Sequence, residues 1–240
     1  MIKKPIFCRI GSKWLMTEEI ISYFPHHLIY VEPFFGGGSV YWAKEPSPAE
    51  VINDLDKILM DDYKMIKKAP LTGYIKDLNT IPKLTKFYIK KHKTMQDKLT
   101  SSIILRCNGF SGIYVKKNNR IYKNNNPYNK LKYIEDYKNR MSDTIILNKS
   151  YEKVIHDYDT DKTLFYLDPP YEDSKNLYTH SIIDYDKMAN ILKNIKGKFI
   201  LSINGSSNIN EIFKNFKIIE SYAISNIGLN PRIELLIMNF

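Results

Sequence analysis

Apolar residues fall into short runs bounded by turn residues, and between these runs apolar positions recur every three or four residues. The short runs predict strands at 28–32 (LIYVE), 50–54 (EVIND), 144–147 (TIIL), 163–168 (TLFYLD), 198–203 (KFILSI), 218–221 and 234–239 (ELLIMN). The spaced stretches predict helices at 17–23, 56–68, 151–155, 184–194 and 209–216. Thr17 reads as the N-cap of the first helix, with Pro25 just beyond its end, and Gly197 follows the helix at 184–194. Strands alternating with helices predict a mostly parallel, doubly wound α/β sheet with helices on both faces. Between 58 and 144 the rhythm breaks. Residues 86–108 read as largely helical, 112–123 as a β-hairpin with period-2 alternation, and 124–130 as a polar loop.

Charge supports the same division. Net charge is +10 over 240 residues, yet 58–144 carries 19 basic and 7 acidic residues while the two flanks together carry 17 and 19. The flanks, 1–57 and 145–240, therefore read as one near-neutral domain interrupted by a basic insertion at 58–144. Within it, from 106 to 140, basic residues alternate with Tyr114, Tyr122, Tyr128, Tyr133 and Tyr137. Such interleaving offers phosphate contacts and stacking faces to a nucleic acid, whereas the lysines at 83–98 fit a solvated helical face equally well. With 43% hydrophobic residues the chain can bury a core, which excludes wholesale disorder. Its two cysteines, Cys8 and Cys107, exclude a disulfide framework and a cysteine-rich zinc site, and His26-His27 read as loop cover, not metal ligands. No run reaches the ~18 apolar residues of a membrane span, and the opening MIKKPIFCRIGSKW lacks a signal-peptide core. An intracellular, cytoplasmic, reduced protein is expected.

Two segments carry candidate chemistry. The first run of strand leads into Pro33-Phe34-Phe35-Gly36-Gly37-Gly38 and then a helix-forming SVYWAK. Glycines at a strand-to-helix turn allow a ligand to come close, and Asp54 closes the next strand at about the distance where nucleotide-binding folds place an acid on ribose hydroxyls. The glycines do not follow GxGxxG, which favours a nucleoside-type cofactor over a pyrophosphate one. The second segment, Asp168-Pro169-Pro170-Tyr171, ends a strongly apolar strand, on the sheet edge where open α/β folds bind ligands. An aspartate and a rigid prolyl carbonyl make two acceptors for the two hydrogens of an exocyclic amine, and Tyr171 offers a flat face to a ring. Two prolines after a strand also make an ordinary turn.

Taken together, these segments resemble the Dam-like DNA adenine-N6 methyltransferases over nearly the whole chain. Ile10-Gly11-Ser12-Lys13 is similar to that family's opening motif, VEPFFGGGS at 31–39 to its glycine loop, Ile52-Asn53-Asp54 to its ribose-acid strand, Asp168–Tyr171 to its catalytic motif, and Glu234-Leu235-Leu236-Ile237 with Asn239 to its closing strand. Arg9 stands where the family often has tryptophan, and Trp14 follows the lysine. The resemblance implies a Rossmann-like class I methyltransferase fold with an inserted, mainly helical DNA-recognition domain containing a β-hairpin. It implies S-adenosylmethionine as cofactor, contacted by Arg9, Lys13, Glu32, Pro33, Phe34, Gly36, Gly38, Asp54 and Asp168. The catalytic residues it implies are Asp168, Pro169, Pro170 and Tyr171, acting without metal on an adenine flipped out of double-stranded DNA. Arg106, Asn108, Lys116, Lys117, Arg120 and Tyr122 are then the expected DNA contacts. A cognate restriction endonuclease fits the resemblance as a partner, while the oligomeric state has no signature. Three other readings share parts of this pattern. RNA adenine methylation fits the basic surface equally well. Protein amide methylation is disfavoured by the Asp-first tetrapeptide, and a degenerate DNA-binding module by the intact motifs.

Overall fold

The computed structural model describes residues 4–7, 9, 11–68, 133–171, 183–224 and 231–240. The expected helix at 86–108, the hairpin at 112–123 and the loop at 124–130 lie outside the described residues, as do Arg106, Asn108, Lys116, Lys117, Arg120 and Tyr122. The chain forms two compact units. One comprises Met1–Ser12, Gly36–Ala43 and Ile58–Asp143, and the other Lys13–Phe35, Lys44–Lys57 and Thr144–Phe240.

The second unit holds the sheet. Its strands are β1 (Ile29–Glu32), β2 (Ala49–Asn53), β3 (Ile145–Leu147), β4 (Thr163–Leu167), β5 (Lys198–Asn204), β6 (Lys217–Ile224) and β7 (Pro231–Met238), in the order β3-β2-β1-β4-β5-β7-β6. The first five strands are parallel, and β7 runs antiparallel between β5 and β6. Strand order reverses between β1 and β4, so the carboxyl ends of these two strands flank a switch point. This is the mostly parallel sheet that the alternating pattern predicts, in the Rossmann-like form that the resemblance implies.

Side chains alternate across the sheet. Val31, Val51, Phe165, Leu167, Phe199, Leu201, Ile203, Leu235 and Ile237 form one apolar cluster with three helices: α5 (Tyr151–Tyr158), α6 (Tyr185–Lys193) and α7 (Ser207–Ile212). These helices start where a side chain can satisfy a free backbone N–H. Ser150 accepts from the Lys153 N–H, Asp184 from Lys187 and Ser206 from Ile209. Positions of the opposite parity include Glu32, Ile52, Tyr166, Ser202 and Glu234, all buried. Polar groups are thus concentrated on one face near the strand ends.

Several expectations need correction. Thr17 is the first residue of α1 (Thr17–Ser22), not its cap: a 3-10 turn at Trp14–Met16 precedes it, and its hydroxyl donates to the Trp14 carbonyl at 3.0 Å. The helix expected at 209–216 starts at Ser207, where Ser206 caps it, and ends at Ile212. Phe213 is fully buried, and Phe216 meets Phe199 edge-on at 5.2 Å, so packing holds these rings after the helix has ended. Gly197 is not a left-handed cap, since among the described glycines only Gly11, Gly36 and Gly38 have positive φ. A Cβ there would lie 2.9 Å from the Thr163 carbonyl, so close backbone approach explains it.

The first unit contains α2 (Ser39–Ala43), α3 from Ile58 within Lys57–Lys68, and α4 (Ile134–Arg140), which the sequence did not announce. Trp42 is its aromatic centre, edge-on to Tyr41 at 4.9 Å and to Tyr137 at 5.1 Å. Tyr137 is 3% exposed and donates to the Lys4 carbonyl, so it is a core residue rather than a stacking face for nucleic acid. Arg140 lies 4.0 Å from the centre of the Tyr41 ring and donates to the Tyr41 carbonyl. The glycine loop is fixed from the same unit. Trp42 Nε1 donates to the Gly37 carbonyl and the Tyr63 hydroxyl to the Gly36 carbonyl. A Cβ on Gly37 would lie 2.8 Å from the Phe7 carbonyl oxygen. Gly37→Ala is therefore expected to destabilise the protein by about 1–3 kcal/mol through overpacking, read as a lower midpoint in urea.

Among the described residues no helix is long and apolar enough to cross a membrane.

Candidate active site

The carboxyl edge of the sheet is organised by Asn53, the last residue of β2 and 1% exposed. Its side-chain amide donates to the carbonyls of Pro33 and Lys149 at 2.9 and 3.0 Å, its side-chain oxygen accepts from the Lys149 N–H, and its backbone carbonyl accepts from the Phe35 N–H. One residue thereby ties together the loops that follow β1, β2 and β3. Asp54 comes next, half-buried, with Oδ1 accepting from the Asp56 N–H at 2.9 Å and its carbonyl held by Asn148. Across this edge Phe34 lies against Tyr151 with ring centres 5.2 Å apart. The Tyr151 hydroxyl is buried and, among the described residues, has no hydrogen-bond partner. Burial, with Glu152 and Asp184 adding to it, pushes its phenol up to about 12, so it stays a donor at neutral pH.

At the switch point lies an ion cluster. Lys13, 5% exposed, reaches Asp168 Oδ1 at 2.6 Å and Glu234 Oε1 at 3.2 Å, and donates to the Tyr171 hydroxyl. Tyr171 in turn donates to Glu234 Oε1 at 2.7 Å. Period-2 geometry explains the grouping: Asp168 follows β4, Ser202 lies in β5 and Glu234 in β7, all with the same parity. Ser202 Oγ is 3.4 Å from Asp168 Oδ1 and 2.9 Å from the Tyr166 hydroxyl. Burial works against the Lys13 charge, but the field of Asp168 and then of Glu234 outweighs it and holds the ammonium above its ordinary range. Burial raises the Asp168 carboxyl, opposed by Lys13. It raises Glu234 as well, opposed by Lys13 and reinforced by the charge of Asp168.

The turn after Asp168 is also fixed. Tyr185 donates to the Pro170 carbonyl at 2.6 Å, while among the described residues no hydrogen bond reaches the Pro169 carbonyl or Asp168 Oδ2. Asp168 keeps 24% of its side chain exposed. An acceptor pair on a rigid turn, next to a flat tyrosine, suits an exocyclic amine. Glu32 differs from what its motif position suggests. It is 2% exposed, accepts from the Tyr30 hydroxyl at 2.8 Å, and is pushed well above the carboxylate range by burial, against the effect of that hydrogen bond.

Of the residues singled out in the sequence, Lys13, Asp168 and Tyr171 are in mutual contact. Pro33, Phe34 and Asp54 line the neighbouring loops. Gly36, Gly38 and Arg9 belong to the other unit, where both glycines have positive φ. Glu234, Ser202, Tyr151 and Tyr185 were missed as site residues. For Glu234 a signal existed, since an acid opening an otherwise apolar strand has to be paired when the strand is buried.

The model of the D12 class N6 adenine-specific DNA methyltransferases matches residues 10–227. The chain belongs to that family. The type II methyltransferase M.CviBI of Paramecium bursaria Chlorella virus NC1A is 23% identical over 229 residues, covering 89% of this chain and 87% of that protein. M1.LlaDCHI of Lactococcus lactis subsp. cremoris, also a type II methyltransferase, is 28% identical over 240 aligned positions, covering 86% and 80%. An rRNA methylase from Streptococcus thermophilus aligns in structure over 100% of this chain and 99% of its own, with a TM-score of 0.41 and 10% identity. The chain is a DNA adenine-N6 methyltransferase, its substrate is DNA and its methyl donor is S-adenosylmethionine.

The residues present fit that donor. Its ribose diol matches the Asp54 carboxylate, and its adenine nitrogens match the Tyr151 hydroxyl, a buried donor with no acceptor among the described residues. Its sulfonium charge matches an ion cluster with two carboxylates to one ammonium.

Proposed function

We propose that this methyltransferase flips a target adenine out of duplex DNA and receives its amine on Asp168 and the Pro169 carbonyl, with Tyr171 against the ring. The observation that carries the reading is the Asp168–Tyr171 turn at the switch point. It presents acceptors on a backbone fixed by two prolines and by Tyr185. S-adenosylmethionine, when bound, supplies an electrophilic methyl group on a cationic sulfur. The amine nitrogen of adenine is a weak nucleophile because its lone pair is delocalised into the ring. Two acceptors on its hydrogens favour a pyramidal nitrogen whose lone pair points out of the ring plane. The amine nitrogen held in this way would use that pair to take the methyl group the donor supplies, and would release one proton. Asp168 is suited to take this proton, since burial already raises its carboxyl. Catalysis is by position and electrostatics, with no covalent intermediate on the protein.

Asp54 and Tyr151 are assigned to the cofactor's ribose and adenine, and Phe34 to its ring edge. Removing a charged hydrogen-bond partner costs about 1.5–3 kcal/mol. Asp54→Ala is therefore expected to weaken S-adenosylmethionine binding by about tenfold to a hundredfold by calorimetry, with DNA affinity unchanged. The basic segment 58–144 is assigned to DNA, with lysines on phosphates and the expected hairpin at 112–123 nearest the bases, which would make the enzyme site-specific. The names of the two type II relatives support a companion restriction endonuclease. Flipping is tested by placing 2-aminopurine at the mapped target adenine. A rise in its fluorescence on binding is the expected result, and an unchanged signal with saturating protein contradicts it.

A further inference from the structure

Asp168 has a competitor for its acceptor role. Lys13 already donates to Oδ1 at 2.6 Å inside a largely dry site, where an ammonium is a far stronger partner than an adenine amine. A carboxylate neutralised this closely attracts an amine hydrogen poorly. The same ammonium lies 3.2 Å from Glu234 Oε1, and the Tyr171 hydroxyl connects with both, accepting from Lys13 and donating to Glu234. Glu234 is 3% exposed and belongs to β7, two strands from β4. Nothing in the sheet requires an acid there, since its strand neighbours Leu235, Leu236 and Ile237 are all fully buried apolar residues.

We propose that Glu234 is a positioning residue for methyl transfer: it shares the Lys13 ammonium with Asp168, leaving Asp168 free to accept the adenine amine, and anchors the Tyr171 hydroxyl that sets the ring. The inference rests on the assignment of Asp168 as the amine acceptor. With two carboxylates around one ammonium, Lys13 moves from Asp168 towards Glu234 by a short displacement and keeps a counter-ion throughout. The cluster then carries a net negative charge, which favours the positive charge that develops on the amine nitrogen as the methyl group arrives. Tyr166 and Ser202 flank Asp168, and Glu32 lies on the same face with a raised carboxyl, so among the described residues Asp168 and Glu234 are the acids that pair with Lys13.

Glu234→Gln keeps size and an acceptor for Tyr171 but removes the charge. The predicted result is a kcat lower by about 10²-fold, the scale on which misplacing a catalytic group acts, with KM for DNA and for S-adenosylmethionine within about threefold of native. Glu234→Asp keeps the charge and is predicted to fall between the two. In a Lys13→Met background the further effect of Glu234→Gln should vanish. In cofactor-free protein the urea midpoints of the two single variants and the double variant should be non-additive. A native kcat in Glu234→Gln overturns the proposal, as does an aspartate variant no faster than the glutamine one, or additive midpoints. Should Glu234→Gln not fold, a folded Glu234→Asp with native kcat overturns it equally, and one with reduced kcat supports it. Asp168→Ala separates the two levels. If it transfers methyl groups at the native rate, the Asp168 assignment fails; if its kcat falls by about 10²-fold or more while Glu234→Gln is native, only the role of Glu234 fails.

Discussion

Asp168→Ala is expected to lower kcat by at least about 10²–10³-fold, the effect of removing one preorganised polar group from a dry active site. The fold should survive the change. Burial raises the Asp168 carboxyl above its unfolded value. For an acid, that shift favours folding below the unfolded pKa, near pH 4, and the benefit is lost as pH rises through the folded pKa. At neutral pH the ionised Asp168 therefore does not contribute stability by this route, and Lys13 keeps Glu234 at 3.2 Å when Asp168 is gone. The loss should appear in kcat, with little change in the urea midpoint. Asp168→Asn retains a carbonyl acceptor and should lose less. A folded alanine variant with native kcat would remove Asp168 from the mechanism.

The second large effect is on stability and lies away from the chemistry. Lys44 is paired with Glu50 at 2.5 Å, their side chains 2% and 5% exposed, and it also donates to the Glu45 carbonyl at 2.7 Å and to Ser47 Oγ at 2.9 Å. It lies 4.4 Å from the centre of the Tyr30 ring. Lys44→Met breaks this buried ion pair by removing one partner, a change that typically costs about 3–5 kcal/mol. The expected result is a large fall in the urea midpoint with an unchanged slope. Adding Glu50→Leu should recover most of it, because a buried pair replaced by apolar groups is often neutral. If the double variant is as unstable as the single one, the buried charge is not the cause.

How far the sequence alone could reach depended on whether the deciding signal was local. The strands at 28–32, 50–54 and 163–168 announced themselves because a short apolar run, buried almost throughout, and a terminal acid lie within a few residues of each other. Asp168 and Lys13 were readable as site residues from their motifs, but not as partners, since 155 residues separate them and only the sheet brings them within 2.6 Å. Glu234 was visible as part of a motif, yet its contact with Lys13 depends on β7 inserting antiparallel beside β5, a long-range choice that periodicity does not specify. Tyr137 misled for a related reason. Alternation with basic residues looked like a nucleic-acid face, but helical spacing turns this tyrosine towards Trp42. Thr17 shows the limit of capping rules, because the preceding 3-10 turn had already supplied the helix start.

The most direct test of the central claim is methyl transfer from radiolabelled S-adenosylmethionine to unmethylated duplex DNA, followed by digestion to nucleosides, with native protein and Asp168→Ala side by side. The expected result is label on N6-methyldeoxyadenosine with the native protein and an initial rate at least about 10²-fold lower with the variant. Label on deoxycytidine, or equal labelling by a folded Asp168→Ala, would contradict it.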